Sequence, residues 1–322
     1  MLFGQKEFQE KILADANAVA QQKNFKLVYG AVLGSISRGV PGYDSDYDIR
    51  FLYIRNDFPQ KWINPEECRE DDIVYRYILD SDTTKGLSIK NTYDRIAFWE
   101  LTSFIQFLSS PRIGNETKDS SNLYYVAEHT FLTPYSWDPY GIQSSTANYI
   151  YRNHKPLYCI ETYSKTIEGK YVWNSDHISI HGYIKSIWAA LSIDWIITKK
   201  GPAPVNFWLL LAQIDDPELY HKIDSLYLSR VDMTEEYISI TKDPIRKETK
   251  NKVQVKKDSY IDKYIITRYQ MAQQFLKTST LSFDIQQEKK ELNGLRSAII
   301  KLIDRPRVEG ISLGGDRWDM NF

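Results

Sequence analysis

Asp46, Tyr47 and Asp48 stand about a dozen residues after a Gly34-Ser35 step, and they open an apolar run from Ile49 to Ile54. A second apolar run, Leu27 to Leu33, leads into the step. Side chains alternate across a strand, so Asp46, Asp48 and Arg50 share one face while Tyr47, Ile49 and Phe51 take the other. Two carboxylates this close repel each other unless a cation lies between them. Such a pair of hard oxygen donors suits Mg²⁺, which takes one or two protein carboxylates and completes its shell with water and substrate phosphates. Gly34 lets the backbone approach an anion, and Ser35 offers a hydroxyl and a main-chain N–H at a helix start. Arg50, on the carboxylate face, either holds a phosphate oxygen or neutralises the aspartates. The expected unit is strand, phosphate-binding turn, strand.

A triphosphate flanked by two divalent cations needs more negative charge than two aspartates supply. Asp94, at the end of the alternating stretch Gly86 to Asp94, is the candidate third carboxylate, close to the attacking hydroxyl. Glu100 is the second choice for that place. The competing reading makes Asp94 the N-cap of a helix expected from about Ala97 to Leu108.

Gly34-Ser35 followed by Asp46-Tyr47-Asp48 resembles the hallmark of the DNA polymerase beta-like nucleotidyltransferases. The longer string Gly-Ser-x-x-x-Gly, then Asp-Ser-Asp-Tyr-Asp-Ile-Arg-Phe, is similar to the YcgL or RlaP branch, associated with RNA repair in bacteria and phages. Arg38 stands where that family usually has an aromatic residue. Trp99-Glu100-Leu101 resembles the family's helix opening after its third aspartate, from which Asp94 lies one residue further back than the pattern places it. The resemblance covers about residues 25–215. It implies an α+β fold, in which a minimal palm of mixed β-sheet and helices is followed by a mainly helical domain. It also implies transfer of NMP from an NTP to a hydroxyl, with an RNA end, such as that of a tRNA, as acceptor. Asp46, Asp48 and Asp94 would then be the catalytic residues and the ligands of two Mg²⁺ ions, with Mn²⁺ as the substitute. Gly34, Ser35, Arg38, Arg50 and Lys185 form the expected nucleotide-contacting set. A lysine in the helical half of related enzymes often reaches the triphosphate, and Lys185 has that place here, with a solvated lysine as the competing account.

The whole chain sets bounds on these readings. Its 322 residues suffice for two subdomains, and the net charge of −1 gives no global attraction to nucleic acid. With 23 Tyr and 8 Trp, aromatic residues are abundant enough to stack on bases, although core packing accounts for most of them. Cys68 and Cys159, the only cysteines, make neither a disulfide framework nor a zinc motif. No apolar stretch of about 18 residues is present, so the expectation is a soluble, cytoplasmic protein without membrane partners.

In chain order, residues 5–22 have helical spacing, and Phe25 to Leu33, Asp48 to Ile54 and Ile73 to Leu79 read as strands. Residues 56–72 read as a loop. Residues 123–173 are expected to hold one or two helices, including Ser144 to Arg152. The clearest helix runs from about His177 to Lys199 and ends at a Lys-Lys-Gly-Pro stop, with another from Pro204 to about Gln213. His181 and Lys185, four apart, share a face of the longer helix. Two further helices are expected at 258–277 and 284–303, followed by a Gly-rich, loosely held tail from Arg305. The domain division is expected at 1–125 and 126–322.

Residues 242–257 are basic. Arg246, Lys247, Lys250, Lys252, Lys256 and Lys257 either form a solvated surface or track RNA phosphates without sequence specificity. Alternative acceptors are a small molecule or a protein. The alternative of another class is a catalytically silent nucleotide- or RNA-binding protein, against which the presence of all three acidic positions argues.

Overall fold

Helix α1 (Lys6–Gln22) buries Ile12, Ala16 and Ala20, one turn apart, against one face of a β-sheet. The computed structural model describes residues 6–41, 45, 48–55, 74–78, 95–109, 120–241, 253–279 and 284–304. Strand β1 (Phe25–Leu33) is followed by the single-turn helix α2 (Gly34–Ser37) and by strand β2 (Asp48–Arg55), antiparallel to β1. β3 (Val74–Ile78) and β4 (Arg95–Glu100) continue the sheet, with β4 parallel to β2 and antiparallel to β3. Helices α3 (Leu101–Gln106) and α4 (Ser120–Leu132) cover the other face. The two-residue strand β5 (Ser136–Trp137) closes the edge beside β1, giving the order β3-β4-β2-β1-β5.

The alternation expected for β2 is present. Ile49, Phe51 and Tyr53 join the cluster under α1, whereas Leu52 and Ile54 join the cluster under α3 and α4. Gly30 pairs with Phe51, and a Cβ at Gly30 would come within 2.7 Å of the Phe51 ring, so glycine makes room for the aromatic side chain here.

The helix expected from Ala97 to Leu108 is corrected. Residues 95–100 form β4, and the helix starts only at Leu101. Ile96 and Phe98 alternate into the α1-side cluster, while Trp99 faces the opposite layer, edge-on to Phe104 and Phe107. Burial on both faces selects the period of two over helix propensity.

The rest of the chain is mainly helical: α5 (Ile142–Arg152), α6 (Pro156–Lys170), α7 (Ile180–Lys199), α8 (Phe207–Leu211), α9 (Pro217–Thr241), α10 (Ser259–Thr278) and α11 (Ile285–Ile303). A short antiparallel ribbon of β6 (His177–Ser179) and β7 (Gln254–Lys256) precedes α7 and α10. The architecture is therefore α+β, a mixed sheet with helices followed by a helical region. α9, and a third helix among α4, α5 and α6 where one or two were expected, go beyond the helices expected from the sequence.

α7 is the central helix. Its N-terminus is capped by Ser179, which accepts from the Gly182 N–H, and Lys200 ends it in the left-handed conformation. Ile184, Ile187, Trp188 and Leu191 are buried along it. One hydrophobic cluster runs without a break from Val28 in β1 through α7 to Ile303 in α11.

Asp46, Asp94, the loop 56–72, the expected strand from Gly86 to Asp94, Arg246, Lys247, Lys250, Lys252 and the tail from Arg305 lie outside the described residues.

Candidate active site

β1 and β2 bring the Gly-Ser step and Asp48 together. Leu33, the last residue of β1, is the register partner of Asp48, the first of β2. Gly34 then turns with φ +78°, and a Cβ there would lie 3.7 Å from the Asp48 Cβ. The missing side chain leaves room beside the half-buried Asp48 carboxylate, a hard donor that fits a divalent cation. Ser35 is buried and donates its hydroxyl to Ser45 Oγ at 2.7 Å, tying the turn to the segment that leads into β2.

On the other side of β2, Arg95 is the register partner of Asp48 and Glu100 that of Tyr53. The residue that follows Asp94 in the chain is thus paired with Asp48. Glu100 stands five residues further along, roughly 16 Å away at strand rise. It is buried and accepts a hydrogen bond from the Thr102 hydroxyl. Glu100 therefore does not share a cation with Asp48.

Arg50 shares the Asp48 face. It donates from Nη1 to Thr130 Oγ1 at 3.2 Å and lies over the rings of Trp99, at 5.2 Å, and Phe104, at 5.9 Å. Burial lowers its pKa, and the Asp48 charge opposes that shift. The guanidinium is packed in the layer beneath Asp48, where it offsets that carboxylate's charge.

The turn after Ser35 is gripped by the helical region. Four successive carbonyl oxygens accept hydrogen bonds from it: Arg38 from the Phe207 N–H at 2.8 Å, Gly39 from Trp208 Nε1 at 2.8 Å, Val40 from Arg230 Nη1 at 2.6 Å, and Pro41 from the Tyr227 hydroxyl at 3.3 Å. From the end of α4, Thr133 Oγ1 donates to the Val32 carbonyl at 3.0 Å and shares a hydrogen bond with Ser37 Oγ at 2.9 Å.

The Arg38 side chain also turns to the helices. Its guanidinium lies 4.7 Å from the Trp188 ring centroid, with Tyr125 and Tyr163 close enough to act on its charge. Burial lowers its pKa, with Tyr125, Tyr163 and Asp48 opposing and Arg230 assisting. His129, 3.0 Å from the Tyr163 hydroxyl, is pushed down to about 3 by burial and by the Arg38 charge, so it is a neutral ring in this shell. No site role was expected for Trp188, which has helical-stripe spacing, nor for Trp208, Tyr227 and Arg230, whose roles depend on contacts 150 or more positions away.

Lys185 is half-buried on α7, between His181 and Trp188 on one face. His181 Nδ1 is 3.4 Å from Arg230 Nη2, and Trp188 stacks on Arg38, so this helix face abuts the turn. Lys257 is engaged locally: its N–H donates to Asp176 O at 2.8 Å, its ammonium to Val172 O, and it lies 4.3 Å from the Tyr171 ring centroid. Lys256, at the end of β7, is exposed and paired in register with His177.

Glu128, His154 and Cys159, side chains of types that ligate metals, gather where α4 meets the start of α6. Burial holds the Glu128 carboxyl up near 7 and His154 down near 4, and it raises the Cys159 thiol. These residues carry no motif spacing that reading along the chain could pick out. Among the described residues, no helix is long and apolar enough to cross a membrane.

The chain is similar to the uncharacterized protein YcgL of Bacillus subtilis (strain 168), 24% identical over 223 residues, or 67% of this chain and 74% of the relative. No solved structure matches it. A family model described as the RNA repair pathway DNA polymerase beta family, RlaP, matches residues 8–259, which include the Gly-Ser turn, β2 and β4, α7, and the clamp from α8 and α9. The chain belongs to this RlaP family.

Proposed function

We propose that the protein is a metal-dependent nucleotidyltransferase that transfers an NMP from an NTP to a hydroxyl on an RNA end and releases pyrophosphate. The observation that carries this reading is the junction of Gly34, Asp48 and the gripped turn 38–41. Family membership supports it, because the family is described as a DNA polymerase beta family of RNA repair.

In this proposal Asp46, Asp48 and Asp94 are the catalytic carboxylates of a palm at residues 1–125, with the helical domain at 126–322 behind it. Asp46 and Asp48 would hold both divalent cations, and Asp94 would complete the acceptor-side one. The pairing of Arg95 with Asp48 favours Asp94 as the acceptor-side carboxylate. Two divalent cations, Mg²⁺ or in its place Mn²⁺, would supply positive charge at the attacking and leaving oxygens when bound. Gly34 and the backbone around Ser35 receive the β- and γ-phosphates, and Lys185 reaches them from α7. Arg38 and Arg50 set the local potential from their packed positions. The acceptor oxygen bonds to the α-phosphorus as the bond to the bridging oxygen breaks. Pyrophosphate leaves with that electron pair, and the hydroxyl proton passes to the acceptor-side carboxylate. Lys256 and the basic residues before it track the RNA backbone, and the reaction takes place in the cytoplasm.

The test is incubation of the full chain with each common NTP labelled at the α-phosphate, Mg²⁺ and total cellular RNA, followed by a denaturing gel. Label on RNA is expected, weakening steeply as salt is raised. Label on protein alone, or on small molecules alone, contradicts an RNA acceptor.

A further inference from the structure

Beneath the layer that supports the Gly-Ser turn, Glu128 on α4, Cys159 on α6 and His154 just before α6 converge without a basic partner between them. Cys159 Sγ lies 3.4 Å from Glu128 Oε1 and 3.5 Å from Oε2, and His154 Nε2 lies 3.6 Å from Glu128 Oε2. One donor atom from each residue falls within 4.8 Å of the others. The His154 side chain is 7% exposed and that of Glu128 is fully buried. His154 Nε2 has no hydrogen-bond partner even though it is shielded from water. The neighbouring Lys155 ammonium points elsewhere, donating to Leu108 O at 3.0 Å and to Glu288.

We propose that Glu128, His154 and Cys159 are three ligands of a structural zinc ion that joins α4 to the start of α6. Two of the three donor separations match the edge of a tetrahedral shell, and the third, between His154 and Cys159, is within 4.8 Å. Zinc bonds of about 2.0–2.3 Å to nitrogen, oxygen and sulfur place neighbouring ligand atoms about 3.3–3.7 Å apart, the edge of a tetrahedron. The separations to Glu128, 3.4 to 3.6 Å, fall in that range. A thiolate and an imidazole select a borderline cation such as zinc over Mg²⁺. The His154 Nε2, which makes no hydrogen bond, is the atom that a network of hydrogen bonds alone leaves unexplained, and a metal bond satisfies it.

The ion would stiffen the helix that supports the turn. On α4, the two residues after Glu128 are His129, in the Arg38 shell, and Thr130, the Arg50 partner. The proposal uses none of the proposed Mg²⁺ carboxylates and does not rest on the nucleotidyltransferase reading.

The test uses the full chain, purified without chelator, dialysed against zinc sulfate and then against metal-free buffer, with bound metal measured by mass spectrometry. About one zinc per chain is expected in the wild type and in Cys68→Ser, with loss in Cys159→Ser and in His154→Gln. Cobalt(II) bound to the wild type provides a readout that needs no variant. A tetrahedral spectrum with thiolate-to-cobalt charge transfer is expected. Wild-type protein that retains no zinc, zinc retained at full stoichiometry in Cys159→Ser, or a cobalt spectrum without the thiolate band would overturn the proposal.

Discussion

Trp208 donates its indole N–H to the carbonyl oxygen of Gly39 at 2.8 Å, across 169 positions of sequence. With Phe207, Tyr227 and Arg230 it makes the turn after the Gly-Ser step a surface shared by the palm and the helices. The turn's shape thus depends on the helical region. Trp208→Phe keeps the ring packing against Tyr227, at 5.0 Å between centroids, and removes only the hydrogen bond. The expected result is a loss of about 0.5–1.5 kcal/mol in urea unfolding and a raised KM for NTP, with kcat less affected.

Arg230 is a buried arginine whose Nη1 donates to Val40 at 2.6 Å. Arg230→Met keeps much of the volume and leaves the Val40 carbonyl without this donor. The expected cost is about 1–3 kcal/mol, larger than for Trp208→Phe, with reduced NMP transfer. Equal or greater stability of the methionine variant in urea unfolding would contradict this role of the guanidinium.

Gly34 and Gly39 both have positive φ, +78° and +73°, but their surroundings differ. A Cβ at Gly34 meets only Asp48 Cβ, at an ordinary 3.7 Å. At Gly39 it would press on Trp208 Cδ1 at 3.2 Å and Asn206 Nδ2 at 3.3 Å. Gly34→Ala should cost roughly the 1–2 kcal/mol of left-handed strain alone. Gly39→Ala should cost more, because the clamp must also shift. Differential scanning fluorimetry on the two variants ranks them.

Lys185 lies on the α7 face that also holds His181 and Trp188. Lys185→Met should raise KM for NTP roughly tenfold, the scale of one charge-assisted hydrogen bond, with little change in Tm. A large fall in Tm with an unchanged KM would mark the lysine as structural.

The strand-turn-strand core was legible in the sequence because local pattern decides it. Phe25–Leu33 and the start of β2 at Asp48 fall where the apolar runs place them, and the alternation of Asp48 and Ile49 follows from strand geometry. β4 was misread because Ala97 to Leu101 has helical composition, whereas burial of Ile96 and Phe98 on one face and of Trp99 on the other makes it a central strand. The clamp was not legible, since Trp208 and Arg230 acquire meaning only from partners at Gly39 and Val40. The same holds for Glu128, His154 and Cys159, which come together through the packing of α4 on α6.

The most direct measurement is pyrophosphate release from NTP by the wild type and by Asp48→Asn, in the presence of Mg²⁺ and RNA, with circular dichroism to confirm equal folding. Asp48 lies beside the open space at Gly34, and its substitution keeps the side chain's shape while removing its charge. The account predicts turnover by the wild type and loss of at least about a hundredfold in the folded variant. Turnover by Asp48→Asn at the wild-type rate would contradict it.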